Sequence, residues 1–377
     1  MGKKRMLHCV IDEKFIDGAI TLFEEDSRVE NTYVRFVKST PVNEFRFIRD
    51  TKVVTKEREL FFDIVSKYDV VVLHSLFSIP IDMIPKIPSG IKVVWLMWGY
   101  DFYNYQVYNL QILGPLSCKT LTNRDRVKSI RDFVKYWAFE RNNFKKALYR
   151  IDFFSGVFPY EYKLLRDLKR YPDIKAKPID FYYGSTSFFV PETPNLVINN
   201  QTCNVIIGNS ADPSNNTLEV IEILKGLLDI TSVNKIIVPL SYGTNQRFIQ
   251  SVRKRGREEW GDKFYPLDHY LPLDKYLEIV SNCKVAIYFH ERQQASDNVL
   301  MQLLYGAKVY MSSTSKMYQY LKEIGFHIYS LQEDNNTINE PISSDEIINN
   351  RILLSKMYSS SKLIERVKVM NTDICNL

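Results

Sequence analysis

One stretch holds the residues best suited to chemistry: Lys284–Met311, KVAIYFHERQQASDNVLMQLLYGAKVYM. Val285–Phe289 is apolar and β-branched enough for a buried strand. His290–Gln294 is a polar cluster directly after it. Asp297 and Asn298 stand where a helix should begin, and Val299–Tyr305 has helical apolar spacing that Gly306 ends. A strand, a charged loop and a helix start form half of a nucleotide-binding unit, because the first N–H groups of a helix attract phosphate. In such a unit Arg292 pairs with a diphosphate through two parallel hydrogen bonds. Gln293 and Gln294 offer amides to sugar hydroxyls, and Ser296–Asn298 offer backbone donors.

Two further loops in the same half follow strands. In GNSADPSNN, Gly208 permits a sharp turn, Asn209 and Ser210 have short side chains for phosphate oxygens, and Asp212, Ser214 or Asn215 can cap the next helix. In PLSYG, Ser241–Gly243 lies at a strand's carboxyl end, with Tyr242 available to stack on a nucleobase. Each loop alone is equally consistent with a ligand-free turn; their repetition in one half favours a site.

The first half has its own candidates. WLMWGYDFY places Trp98, Tyr100 and Asp101 after a strand. Aromatic rings pack on sugar faces, and a carboxylate there can act as general base. The alternative is a core aromatic group with Asp101 anchoring a helix. His74 ends another strand and is a second possible base or a packed histidine. Asp12 and Asp17, in the DEKFIDG loop, are further candidates; a helix cap is the alternative for Asp17.

The elements that must position these residues alternate strand and helix throughout, which implies α/β architecture. Strands are expected at Met6–Ile11, Val34–Val37, Phe45–Ile48, Val70–His74, Ile91–Met97, Phe153–Val157 and Phe181–Tyr183, with a helix at Lys56–Ser66. The Pro- and Asn-rich segment Ser185–Gln201 reads as a linker. The expected divisions are 1–185 for an acceptor-binding domain, 186–202 for the linker, 203–342 for a nucleotide-sugar domain, and 343–377 for C-terminal helices that can pack back on the first domain. Two doubly wound Rossmann-like domains facing a cleft describe the GT-B arrangement.

Composition narrows the function further. The chain has 377 residues, 45% hydrophobic and 25% charged, which is globular and long enough for two domains. No apolar run reaches the ~18 residues of a membrane span. The N-terminus lacks the apolar core of a signal peptide, and position 6 lacks the Ser or Thr of a myristoylation site. The five cysteines form no CxxC, and the histidines have no ligand spacing. No DxD-type cluster ends a strand, so neither metal nor other cofactor is expected. Between Arg124 and Arg150 lie nine Lys/Arg and three Asp/Glu, an excess equal to the chain's whole +6. Its interleaved aromatics fit either an anionic membrane surface or a solvated basic face over a buried aromatic one. No nucleic-acid motif is present.

GNSADPSNN, PLSYG, LPLDKYL and the RQQ of HERQQASDN occur in one order and spacing that, with WGYDFY and DEKFID, resembles the TDP-N-acetylfucosamine:lipid II N-acetylfucosaminyltransferases, glycosyltransferase family 56. The resemblance implies a GT-B enzyme. Its donor would be a dTDP-linked 4-acetamido-4,6-dideoxyhexose, and its acceptor a polyprenyl-diphosphate-linked saccharide at the cytoplasmic face of the cell membrane, where the protein would be peripheral. It assigns donor-binding roles to Asn209, Ser210, Ser241–Gly243, Arg292, Gln293 and Gln294; Gly208, His290, Asp297 and Asn298 are added as neighbours. Arg292 and Asp101 are the expected catalytic residues, Asp101 on its position alone. Asp12, His74, Trp98 and Tyr100 are expected at the acceptor. One departure stands out: the family has a small residue, often Gly, near Asp297, which here either caps the helix or reads a sugar amino group. A sugar-nucleotide 2-epimerase of the same fold and a non-catalytic sugar-nucleotide-binding protein are the alternatives.

Overall fold

The computed structural model describes all residues except 1, 40–44, 107–111, 136–137, 139–140, 168–172, 184–189, 196–202 and 377. The chain divides into two compact units. Unit 1 comprises Met1–Gln106, Phe133–Phe188 and Tyr358–Leu377, and unit 2 comprises Val107–Asp132 and Phe189–Met357. No helix among the described residues is long and apolar enough to cross a membrane.

Unit 1 is built on the strands β1 (Lys4–Cys9), β2 (Val29–Val37), β3 (Val53–Glu57), β4 (Val70–His74), β5 (Lys92–Leu96), β6 (Phe153–Ser155) and β7 (Lys177–Pro178). They form one sheet in the order β3-β2-β1-β4-β5-β6-β7, every pair parallel. The runs VVVLH and KVVWL are almost wholly buried, as strands covered on both faces must be. Between them run the helices α1 (Ile16–Glu24), α2 (Phe61–Val65), α3 (Tyr100–Gln106), α4 (Pro115–Lys119), α5 (Asn123–Lys135), α6 (Arg141–Arg150) and α7 (Tyr160–Arg166). Of these, α4 lies in unit 2 and α5 spans the division.

Unit 2 repeats the design with β8 (Asn204–Ile207), β9 (Ile236–Pro239), β10 (Phe264–Leu267), β11 (Cys283–Tyr288), β12 (Lys308–Met311) and β13 (Tyr329–Ser330). Their order is β10-β9-β8-β11-β12-β13, again all parallel. The helices are α8 (Thr217–Leu224), α9 (Gln246–Trp260), α10 (Leu273–Val280), α11 (Ser296–Tyr305), α12 (Lys316–Glu323) and α13 (Ser344–Tyr358), and α14 (Ser360–Cys375) follows. In each sheet the strand order reverses once, between β1 and β4 and between β8 and β11. Crevices at the carboxyl ends of such reversal points are where open parallel sheets bind ligands.

Three expected elements differ. Phe45–Ile48 is a loop, because Asp12 takes the backbone N–H groups of Arg46, Phe47 and Ile48 that a strand ladder would need. Of the helix expected at Lys56–Ser66, Lys56 and Glu57 instead end β3, which the β-branched Val53, Val54 and Thr55 begin, and the α-helix is only Phe61–Val65. Phe181–Tyr183 is not a strand: Phe181 N donates to the Ser155 side chain at 3.0 Å, and Lys177–Pro178 supplies the sheet edge.

The last helix, α14, is held in unit 1. Buried Asp26 accepts from Arg28 Nε at 2.8 Å and from Asn371 Nδ2 at 3.1 Å, while Arg28 Nη2 donates to Lys368 O at 2.8 Å. Burial raises the Asp26 carboxyl, but the Arg28 and Asn371 bonds more than reverse this and hold it below its ordinary value.

Candidate functional site

The loops after β8, β9 and β11 are tied together by one side chain. Asn215 is fully buried. Its Oδ1 accepts from Asn209 N at 2.9 Å and bonds His290 Nε2 at 2.9 Å; its Nδ2 donates to Ser210 Oγ at 2.9 Å and to Asp212 O at 3.1 Å. Gly208 allows this approach: it has φ +71°, and a Cβ there would lie 2.8 Å from Asn215 Oδ1. Asp212 caps the short turn Pro213–Asn215 by accepting from Ser214 N. Asn216, at φ 51°, donates to Phe289 O and Ile112 O at 3.1 Å each, and accepts from Gly114 N at 2.8 Å. The PLSYG loop joins through Ala211 N, which donates to Tyr242 O at 2.7 Å. Gly243 is required there, because a Cβ would meet the Ala211 backbone at 2.7 Å.

The loop after β11 then crosses to the first through Ser214 Oγ, which donates to Gln294 Oε1 at 2.9 Å. Gln293 is buried and its Nε2 lies 3.4 Å from Ser296 Oγ. Arg292 is half-buried, and its Nη1 donates to Gln293 O at 3.5 Å. Ala295 occupies the N-cap of α11 at φ 56°, with no side-chain capping bond. A left-handed alanine costs about 1 kcal/mol. Asp297 is therefore not the cap: it lies in the first turn of α11, where a negative charge suits the helix dipole.

The expected donor residues take different stations here. Gly208, Asn209, Ser210, Gln293 and Gln294 converge on the β8–β11 crevice. Ser241 and Tyr242 are exposed, Tyr242 by 76%. Asn298 is committed elsewhere: its Oδ1 accepts from Tyr276 OH of α10 at 2.8 Å. His290 is a buried brace. Asn215 Oδ1 is an acceptor for Asn209, so His290 Nε2 carries the proton it donates there. Burial, and then the charge of Arg292, hold the His290 imidazole down to about 3. Asn215 is the residue that sequence reasoning missed as a site organiser; its signal was an Asn seven positions after a glycine that turns the chain.

In unit 1 the candidate acceptor residues are mostly anchors. Asp101 is fully buried, with its carboxylate accepting from Leu76 N at 3.0 Å, Trp95 Nε1 at 2.9 Å and Trp98 N at 3.0 Å. Burial raises its carboxyl despite these donors. This is the anchoring arrangement, not that of an exposed base, and it fixes the turn from β5 into α3. His74 is also buried, bonded to His8 Nδ1 and Tyr183 OH at 3.0 Å each. Asp12 organises the 46–48 loop, and Asp17 accepts from Arg49 N and Asp50 N at 2.9 and 3.2 Å. Trp98 and Tyr100 are half-buried, with Trp98 edge-on to Phe15 and Tyr183, and Tyr100 stacked on Phe77 at 5.4 Å.

Two outcomes follow from the geometry of unit 2. Asn215→Ala strands the donors of Asn209 and His290 in the interior and should destabilise the protein by about 3 kcal/mol, read as a lower urea midpoint. His290 is neutral when folded but gains a proton below pH 6.5 when unfolded. Its contribution is therefore present above pH 6.5 and lost as pH falls toward about 3. The urea midpoint of His290→Gln should accordingly fall less than that of the wild type between pH 7 and pH 5.

Comparison with known proteins places this geometry. Residues 178–344 match the family model described as 4-alpha-L-fucosyltransferase, glycosyl transferase group 56. Among solved structures, Anabaena Alr3699/HepE in complex with UDP aligns at TM-score 0.63 with 10% identity, covering 100% of both chains. The OtsA apo structure aligns at TM-score 0.64 with 8% identity, covering 99% of both. The GtfA/B complex aligns at TM-score 0.55 with 10% identity; the match covers 85% of this chain and spans only 61% of that one. Residues 178–344 thus match the model of glycosyl transferase group 56, the family that the motifs of this chain resemble, and the fold is GT-B.

Proposed function

We propose that this chain is a glycosyltransferase that moves a 4-acetamido-4,6-dideoxyhexosyl group from a dTDP donor to a polyprenyl-diphosphate-linked saccharide at the cytoplasmic face of the cell membrane. The observation that carries the proposal is the β8–β11 crevice. There the Arg292–Gln294 segment and an α11 N-terminus without a side-chain cap stand beside the Gly208–Ser210 turn. Helix-start N–H groups and a guanidinium stabilise the diphosphate as it departs, when the glycosidic bond breaks and charge builds on the leaving oxygen. Unit 2 is the donor side and unit 1 the acceptor side in this reading. No step in it requires a metal, so turnover should survive chelator.

Sugar transfer to a lipid-linked acceptor also calls for a membrane-facing surface, and α5 offers one. Val127, Ile130 and Val134, spaced for one helix face, are 64%, 60% and 53% exposed. Arg124, Arg126, Lys128, Arg131 and Lys135 intersperse them. Exposed apolar residues within a basic helix are what an anionic bilayer surface takes up. Of the aromatics weighed for the alternative, Phe144 of α6 is buried, while Tyr136, Trp137 and Phe139 lie outside the described residues.

Two measurements test the proposal. Arg292→Ala should lower turnover about 100-fold, as loss of a transition-state donor does; an unchanged rate would refute the role, and formation of an epimer from nucleotide sugar alone would favour the epimerase. Ile130→Asp should reduce co-sedimentation with phosphatidylglycerol vesicles about tenfold, the worth of one buried aliphatic side chain, and leave behaviour with neutral vesicles unchanged.

A further inference from the structure

Unit 1 contains a pocket of about 550 Å³ at the carboxyl end of its sheet. Its walls come from the loop after β1, the end of β2, the 46–47 segment and the loop after β4. It therefore sits at the reversal point between β1 and β4, the counterpart in this sheet of the β8–β11 crevice. None of the candidates read from the sequence explains its charge. Arg35, Lys38, Arg46 and Arg58 line it, against two carboxylates, Asp12 and Glu13.

Among the described residues neither carboxylate forms an ion pair with these arginines; burial raises the Asp12 carboxyl, but backbone donors of the 46–48 segment and then the Arg35 charge bring it below its ordinary value. Asp12 accepts from Arg46 N at 2.6 Å, Phe47 N at 3.0 Å and Ile48 N at 3.1 Å, so both of its oxygens are occupied in folding the loop. Among the described residues, Arg35 Nη1 and Arg58 Nε are buried atoms without a hydrogen-bond partner. A buried unsatisfied donor is costly, more so on a charged group, and an arriving anion relieves two at once. The planes of two guanidiniums are set by aromatic neighbours: Arg35 lies over Phe45 at 5.4 Å and Arg46 over Phe47 at 4.9 Å. Preset planar forks suit tetrahedral oxyanions better than mobile lysines do.

We propose that this pocket is a binding site for a phosphate ester or diphosphate, gripped by Arg35 and Arg58 with Arg46 and Lys38 at its mouth. Phe77, which lines the pocket and stacks on Tyr100, offers an apolar wall to the carbon skeleton of the ligand. The site deepens the reading above by giving a diphosphate-bearing acceptor its place; only that naming of the ligand as acceptor rests on it, and the anion chemistry does not.

The test is isothermal titration of the full chain with inorganic pyrophosphate, glucose 1-phosphate, geranyl diphosphate and geraniol. Arg292→Ala serves as the background, so that pyrophosphate at the donor crevice is separated from pyrophosphate in the pocket. Pyrophosphate should bind this background, and adding Arg35→Gln with Arg58→Gln should weaken it about 30-fold, the loss expected for charge-assisted bonds. Arg46→Gln, an exposed position, should weaken it about threefold and keeps the test informative if the double variant does not fold. Tighter binding of geranyl diphosphate than of pyrophosphate would support a lipid headgroup; equal binding of glucose 1-phosphate would support a soluble phosphate ester. Absence of pyrophosphate binding, binding undiminished in both pocket arginine variants, or binding of geraniol as tight as geranyl diphosphate would overturn the proposal. Sugar transfer is assayed separately, so failure here and failure of the transferase reading are distinguishable.

Discussion

The crevice between β8 and β11 depends on the carboxamide of Asn215. An asparagine has two acceptor sites and two donors, and this one uses all of that capacity inside the protein. The bonds it makes join the turn after β8 to the turn after β11, so two segments 75 residues apart in the chain share one rigid junction. Burial strengthens each of these bonds and makes each costly to leave unmade. That is a physical reason for His290 to remain neutral: a charged imidazole would need hydration that the junction excludes, and it would face Arg292. The rigidity reaches α11, whose N-terminus is then presented at a fixed place beside the glycine turn.

Unit 1 uses buried polar groups in the same manner, but around anchors. Asp101 holds the turn that ends β5. Glu161 accepts from Tyr103 OH at 2.8 Å and from Phe158 N at 3.0 Å; burial pushes its carboxyl up to about 7 in spite of those donors. His8 and His74 bond each other, and burial lowers both. Side chains with catalytic types thus serve to fold loops, and the groups left facing the pocket are arginines that no strand pattern marks out.

Much of the fold was legible in the sequence because parallel strands buried on both faces are nearly uniform apolar runs. VVVLH and KVVWL cannot be solvated on either side, so their place in a sheet follows from composition alone. Phe45–Ile48 was not legible, since its apolar residues imitate a strand while the N–H groups of Arg46, Phe47 and Ile48 are taken by a carboxylate 34 or more residues earlier. The same holds for Asn298, whose partner Tyr276 lies on another helix. Among site residues, the glycines and Gln294 could be read from local turn chemistry. Asn215 could not, because its importance lies in partners that only the folded chain assembles.

By itself, then, the sequence determined the periodic elements, the two α/β halves and the motif order that resembles glycosyl transferase group 56, since these rest on local spacing of apolar and turn residues. The tertiary structure decided which polar residues bind one another and which face open space. Burial and distance, not residue type, set whether a carboxylate or imidazole is a reactive group or a fixed hydrogen-bond partner. Asp101 and His290 carry the types expected of chemistry and became braces, whereas Arg35 and Arg58, unremarked in the pattern, line the pocket of unit 1 with buried donors that lack a partner among the described residues.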